Sequence, residues 1–296
     1  MLALKVKGIL PPHITPFNKY EEIDEPALRR LIHFWLDNGV SGLVACGSNG
    51  EAVYMTREER RKVAKVVVDE VNGKVPVVVG TGAPSTQETI SLTKDAKDLG
   101  ADAALVVTPY YYIPSEEELY EHYKRVLEET DFPIILYSVP KFTGYNLNVK
   151  VVKRLVEGYS QIVGIKDSSG LVGRISDLTV QVGDRISVLV GTGDIILPGL
   201  VMGATGAIVA IANVAPKLCS DIYNAYLNGD LEKARRLQNK AVQLNELLVK
   251  RFNQISAIKE GLTQLGQPAG IPRRPSLPLN DEEREEIRSF LTEGLI

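Results

Sequence analysis

Eight short apolar runs recur along the chain, with amphipathic segments between most of them, and this alternation limits the fold more than any other feature. In order they are "KGILPPHITPF", "SGLVACGSNGE", "VPVVVGTGA", "AALVVTPYYY", "PIILYSVP", "IVGIKDSSG", "ISVLVGTGD" and "GAIVAIAN". They are rich in Val, Ile and Leu, as parallel strands covered on both faces require. The intervening segments carry helix signals. "DEPALRRLIHFWLDNG" opens on an Asp-Glu-Pro entry and stops at Gly39, and Thr56 with Glu59 forms a capping box before "RKVAKVVVDEVNG".

Strands that alternate strictly with helices, at a spacing of about thirty residues, define βαβ units and an α/β fold. Eight such units predict a (β/α)8 TIM barrel. After about residue 215 the pattern turns wholly helical, with "DLEKARRLQNKAVQLNELLVKRF" strongly amphipathic. The expected division is a catalytic barrel over residues 1–225 and a C-terminal helical extension over 226–296.

Composition excludes several classes. With 34 Lys and Arg against 37 Asp and Glu, the chain has no basic footprint for nucleic acid. Two distant cysteines, Cys46 and Cys219, do not make a disulfide scaffold, so a reducing cytoplasm is expected. His13, His33 and His122 show no metal-ligand spacing. The stretch from Ile195 to Pro216 is uncharged and long enough to span a bilayer. Pro198, Gly199, Gly203 and Gly206 divide it into a short helix and a buried strand, so no membrane segment is expected.

In a barrel of this type, chemistry collects where the strands end. Those positions hold Gly47, Ser48, Asn49, Gly50 and Glu51; Tyr110 to Tyr112; Tyr137 and Ser138; Lys166; Gly191 to Gly193; and Asn213. The set has one amine, several phenols and small residues, and neither a histidine nor a carboxylate cluster. It cannot run Ser-His-Asp chemistry. An amine in an apolar site loses its proton more readily, and can then attack a keto carbon to form a Schiff base. A nearby phenol can carry the protons. The residues alone leave alternatives open. Lys166 also reads as a turn lysine reaching water, Tyr137 as a core tyrosine, and Tyr110 to Tyr112 as an interface patch. N–H groups in Gly47–Gly50 suit a carboxylate, or form only a turn. Glu51 reads as a supporting carboxylate, and "GTGA" and "GTGD" are too short for a phosphate loop.

The motifs "GSNGE", "VVTPYYY", "YSVPKFTG" and "GIKDSSG", in this order, resemble the dihydrodipicolinate synthase/N-acetylneuraminate lyase family of class I aldolases. The resemblance runs from "ITPF" into the C-terminal helices. It implies a carbon–carbon lyase that needs no metal or other cofactor, with pyruvate as one partner and a small aldehyde or 2-oxo acid as the other. It also implies a homotetramer built as a dimer of dimers. By the same resemblance Lys166 is the Schiff-base lysine and Tyr137 the proton donor and acceptor. Ser48 stands at the relay hydroxyl. Tyr111 stands at the relay tyrosine that reaches a neighbouring subunit's site. Asn49 and Ile208 fall where backbone meets the pyruvyl carboxylate, and Ser168 and Gly191 where a longer substrate is contacted.

Dihydrodipicolinate synthases usually carry an arginine where this chain has Phe142. Losing a bidentate carboxylate partner favours 4-hydroxy-2-oxoglutarate cleavage to pyruvate and glyoxylate. The alternative is condensation of pyruvate with aspartate semialdehyde, and a third reading is a catalytically silent 2-oxo acid sensor.

Overall fold

A computed structural model describes residues 4–292. All eight apolar runs contribute a strand: β1 Gly8–Ile9, β2 Leu43–Ala45, β3 Val77–Gly80, β4 Ala103–Val107, β5 Ile134–Ser138, β6 Ile162–Asp167, β7 Ser187–Val190 and β8 Gly206–Ala207. They form one parallel sheet in the order β1-β8-β7-β6-β5-β4-β3-β2. The sheet curls until its two ends meet. Ser41 N–H donates to Ile9 O (2.7 Å), Val44 N–H to Pro11 O (3.1 Å) and His13 N–H to Val44 O (3.0 Å). The architecture is TIM-barrel-like.

Successive strand residues face opposite sides, so one strand feeds two apolar layers. Val44, Val78, Leu105, Ile135, Leu189 and Ile208 pack together inside the curl. Their neighbours, such as Val77 and Val79, pack against the helices. Each fully buried side chain of this kind contributes about 1.5–3 kcal/mol.

The helix signals are realised. Asp24 Oδ1 accepts from Ala27 N–H ahead of helix Glu25–Asp37. Thr56 and Glu59 complete the capping box of helix Arg57–Val71. The last strand is shorter than "GAIVAIAN" suggests. Pairing ends at Ala207, and Ala210–Asn213 coils into a 3-10 turn. Asn213 explains the turn: its side chain accepts from Ile14 N–H (3.0 Å) and donates to Pro12 O and Ala210 O (3.0 Å each). The uncharged 195–216 stretch thus divides into short elements. No helix among the described residues is long and apolar enough to cross a membrane.

Helix Pro216–Leu227 runs across the 225/226 boundary drawn from the sequence. Beyond it come helix Leu231–Asn245, a π-helical turn Glu246–Arg251, helix Gln254–Gln264 and helix Asp281–Thr292.

Candidate active site

The site begins with a register shift. Ile134 lies opposite Ile162, but Ile135 lies opposite Gly164, so β6 carries one extra residue. Without it, Tyr137 would face Ile165. With it, Tyr137 pairs with Lys166 and Ser138 with Asp167. Lys166 Nζ sits 4.1 Å from the centroid of the Tyr137 ring. Lys166 is 4% exposed and Tyr137 5% exposed.

Asp167 follows Lys166 but points to the other face of the sheet, as strand alternation demands. It is fully buried against Arg174 (2.6 Å) and accepts from Ser169 N–H (3.0 Å). Arg174 also donates to Leu147 O. The carboxylate is therefore committed elsewhere. No carboxylate pairs with Lys166 among the described residues.

Lys166, Tyr137, Ser48, Asn49, Ser168 and Gly191 line one cavity. The loop carrying Ser48 and Asn49 is held between two non-glycine residues with left-handed backbone, Cys46 (φ 52°) and Glu51 (φ 58°). Gly80, the first glycine of "GTGA", makes room for this bend. A Cβ there would lie 2.2 Å from Cys46 O. Gly191, opening "GTGD", likewise permits the close approach of Ser168, whose Oγ would be 2.0 Å from an added Cβ. Both motifs therefore shape the strand ends. Neither Ser48 N–H nor Asn49 N–H donates a hydrogen bond among the described residues, which leaves two amides for an anion.

Glu51 fixes the far end of the loop. It is fully buried, lies 2.5 Å from Lys259 of helix Gln254–Gln264, and accepts from Arg273 N–H (2.7 Å). Burial pushes its carboxyl pKa up, while Lys259 and Arg273 pull it back. Burial lowers Lys259 to about 8 against the opposing pull of Glu51. Lys259 also donates to Ile271 O (2.6 Å) and lies 4.7 Å from the Phe17 ring centroid. Glu51 thus supports the loop, as its sequence context suggests.

Two expected residues lie outside this cavity. Ile208 is fully buried in the inner apolar layer, and its N–H is committed to Val190 O (2.8 Å), leaving its carbonyl for any ligand. Tyr111 is 88% exposed, with φ 82° and its ring edge-on to Tyr112. Tyr110 lines a neighbouring cavity of about 330 Å³, which shares Ser48, Tyr137, Val139 and Phe142 with the first.

Among the cavity residues that the sequence did not single out are Lys141, Asn245, Val249 and Gln254. Lys141 Nζ donates to Val249 O (3.0 Å) and Gln254 Oε1 (2.9 Å). Gln254 in turn donates to Asn49 Oδ1 (2.6 Å). The only sequence signal was the presence of Lys141 beside Phe142. Among the described residues no group of three His, Cys, Asp or Glu side chains converges as a metal site would require.

A buried lysine over a tyrosine ring at the end of paired parallel strands suits Schiff-base chemistry, and family and relatives place the chain among the class I, pyruvate-dependent aldolases. The chain belongs to the dihydrodipicolinate synthetase family, whose model matches residues 5–294. It is 42% identical to the 4-hydroxy-tetrahydrodipicolinate synthase of Methanothrix thermoacetophila, over 97% of this chain and 96% of that one. It is 40% identical to the enzyme of the same name from Methanocaldococcus jannaschii, over 98% and 99% of the two chains. The structure superimposes on the pyruvate complex of the chloride-inhibited dihydrodipicolinate synthase from Acinetobacter baumannii with a TM-score of 0.94. Identity there is 37%, over 99% of this chain and all of that one.

Proposed function

We propose that the protein condenses pyruvate with aspartate semialdehyde to give 4-hydroxy-tetrahydrodipicolinate. The observation that carries the chemistry is the Lys166 amine 4.1 Å from the Tyr137 ring centroid with no carboxylate partner among the described residues. The names of the relatives at about 40% identity support this product over the 4-hydroxy-2-oxoglutarate cleavage favoured by the sequence alone.

In this reading the Lys166 amine attacks C2 of pyruvate, and loss of water gives an iminium. The iminium draws electrons from C3, which gives up a proton to form an enamine. The enamine carbon then attacks the aldehyde, forming the new C–C bond and regenerating the iminium; the semialdehyde's own amine attacks that iminium carbon, closing the ring and releasing the Lys166 amine. Tyr137 carries the protons, relayed through Ser48. The free amides at Ser48 and Asn49 receive the pyruvyl carboxylate, while the Ile208 carbonyl, an acceptor, is left to a donor group of the bound substrate. Ser168 and Gly191 meet the longer condensed product. No step is assigned to a metal or other cofactor. Tyr111 completes the relay in the site of a second copy. This is supported by its exposure alongside Tyr112 (80%), Ile113 (70%) and Val53 (64%), an apolar surface suited to self-association. The reading takes 1–225 as the catalytic barrel and 226–296 as its helical extension, in a tetramer of paired dimers.

Cleavage of 4-hydroxy-2-oxoglutarate to pyruvate and glyoxylate is the second reading, favoured by Phe142 at the family's arginine position. Comparing kcat/KM for the two substrates separates them. The shared chemistry is tested by intact mass and peptide mapping after incubation with pyruvate and borohydride. A pyruvyl adduct on Lys166, absent in Lys166→Ala, is expected. An adduct persisting in that variant would overturn the assignment.

A further inference from the structure

We infer that Lys141 is a specificity-determining residue: its ammonium binds the carboxylate of the aldehyde that condenses with enzyme-bound pyruvate. This rests on the function proposed above and names the class of acceptor, an aldehyde bearing an acid group.

Three observations carry it. Lys141 lines the cavity that holds Lys166, so the two amines open onto the same space. The ammonium has three donors, and two are taken, by Val249 O (3.0 Å) and Gln254 Oε1 (2.9 Å). Neither acceptor is charged, and no carboxylate pairs with Lys141 among the described residues. One donor and the full positive charge therefore remain for an anion.

The mounting of this amine is specific to its surroundings. Val249 belongs to the π-helical turn Glu246–Arg251. Its carbonyl accepts from a side chain 108 residues away in sequence. Irregular turns of this kind are over-represented at functional sites. Gln254 reaches Asn49, so one of the two residues that grip Lys141 also touches the loop assigned to pyruvate. Burial lowers the Lys141 pKa, which is what an amine drawn partly out of water and left without a carboxylate experiences. The missing arginine at Phe142 then ceases to argue against an acidic acceptor. The cation comes from the adjacent residue, whose side chain the short helix Pro140–Thr143 presents to the cavity.

The competing role for Lys141 is a strut between the loop after β5 and the C-terminal helices. The two roles differ in what they discriminate. The test measures kcat/KM for aspartate semialdehyde and for propanal, an uncharged aldehyde, in wild type, Lys141→Met and Lys141→Arg. The expected result is that the acid-to-neutral ratio falls about 10- to 100-fold in Lys141→Met, the worth of a charge-assisted hydrogen bond. Lys141→Arg should hold the ratio well above that of Lys141→Met. A ratio unchanged in Lys141→Met, or equal loss toward both aldehydes with a lowered melting temperature, would overturn the assignment. Borohydride trapping of pyruvate on wild-type Lys166 keeps the two levels apart. Without an adduct the proposed function itself fails. With an adduct and an unmoved ratio, only the role of Lys141 fails.

Discussion

Replacing Lys259 with Met removes the cation facing Glu51 while keeping a long, flexible side chain in its place. The pair is 2.5 Å apart, with Lys259 2% and Glu51 0% exposed, so solvent cannot take over from the missing partner. Glu51 would keep one hydrogen bond, from Arg273 N–H. Removing one member of a buried pair costs about 3–5 kcal/mol. For a chain of 296 residues, an unfolding entropy of about 2 cal/mol/K per residue gives about 0.6 kcal/mol/K in total. The expected drop in melting temperature is therefore about 5–8 °C. Activity should fall as well, because Glu51 anchors the loop that presents Ser48 and Asn49. The double variant Glu51→Met/Lys259→Met should recover most of the lost stability, since it buries no uncompensated charge. Thermal melts of wild type, Lys259→Met, Glu51→Met and the double variant give the coupling energy directly. A Lys259→Met protein that melts with the wild type, or a double variant no better than the single, would refute the reasoning.

Gly80→Ala places a Cβ 2.2 Å from Cys46 O, so the strand or the loop must shift. We expect a loss of about 1–3 kcal/mol, as for other overpacked sites, with a fall in kcat. A thermal melt and a steady-state assay check both. The pH dependence of stability follows from two buried histidines, His13 and His122, each lowered by burial to about 4. Their unfolded pKa is about 6.5, so the unfolded chain binds more protons between the two values and stability falls as pH drops through that window. By pH 5 each contributes a loss of about 1–2 kcal/mol. His122→Asn should flatten the decline of melting temperature between pH 7 and pH 5, and an unchanged slope would remove His122 from the account.

Much of this fold is local in origin, which is why it can be read from the chain. Periodicity marks every strand, and Thr56 with Glu59 marks a helix start, because each signal lies within a few residues. The end of β8 was less legible. "GAIVAIAN" has strand composition throughout, but Asn213 reaches back to Ile14 and Pro12, and that distant bond sets where the strand stops. The site divides in the same way. Lys166 and Tyr137 were visible as residues at strand ends. Their pairing was not, since it depends on one extra residue in β6 that no local pattern reveals. Nothing near Lys141 in the sequence shows where it points, because its partners lie 108 and 113 residues further on. Tyr111 was legible as part of a tyrosine run. Its position on the surface depends on a left-handed backbone that the sequence does not announce.

The clamp between Glu51 and Lys259 has a consequence for how the protein is made. The cavity takes Ser48 and Asn49 from the start of the chain, Lys166 from its middle, and Gln254 from near its end. The loop holding the first two is tied to the C-terminal part of the chain by Lys259 and Arg273 through Glu51, and by Gln254 through Asn49. A ribosome will therefore have delivered every strand before the pocket can assume its shape. A product that terminates before Gln254 keeps all eight strands but none of these ties.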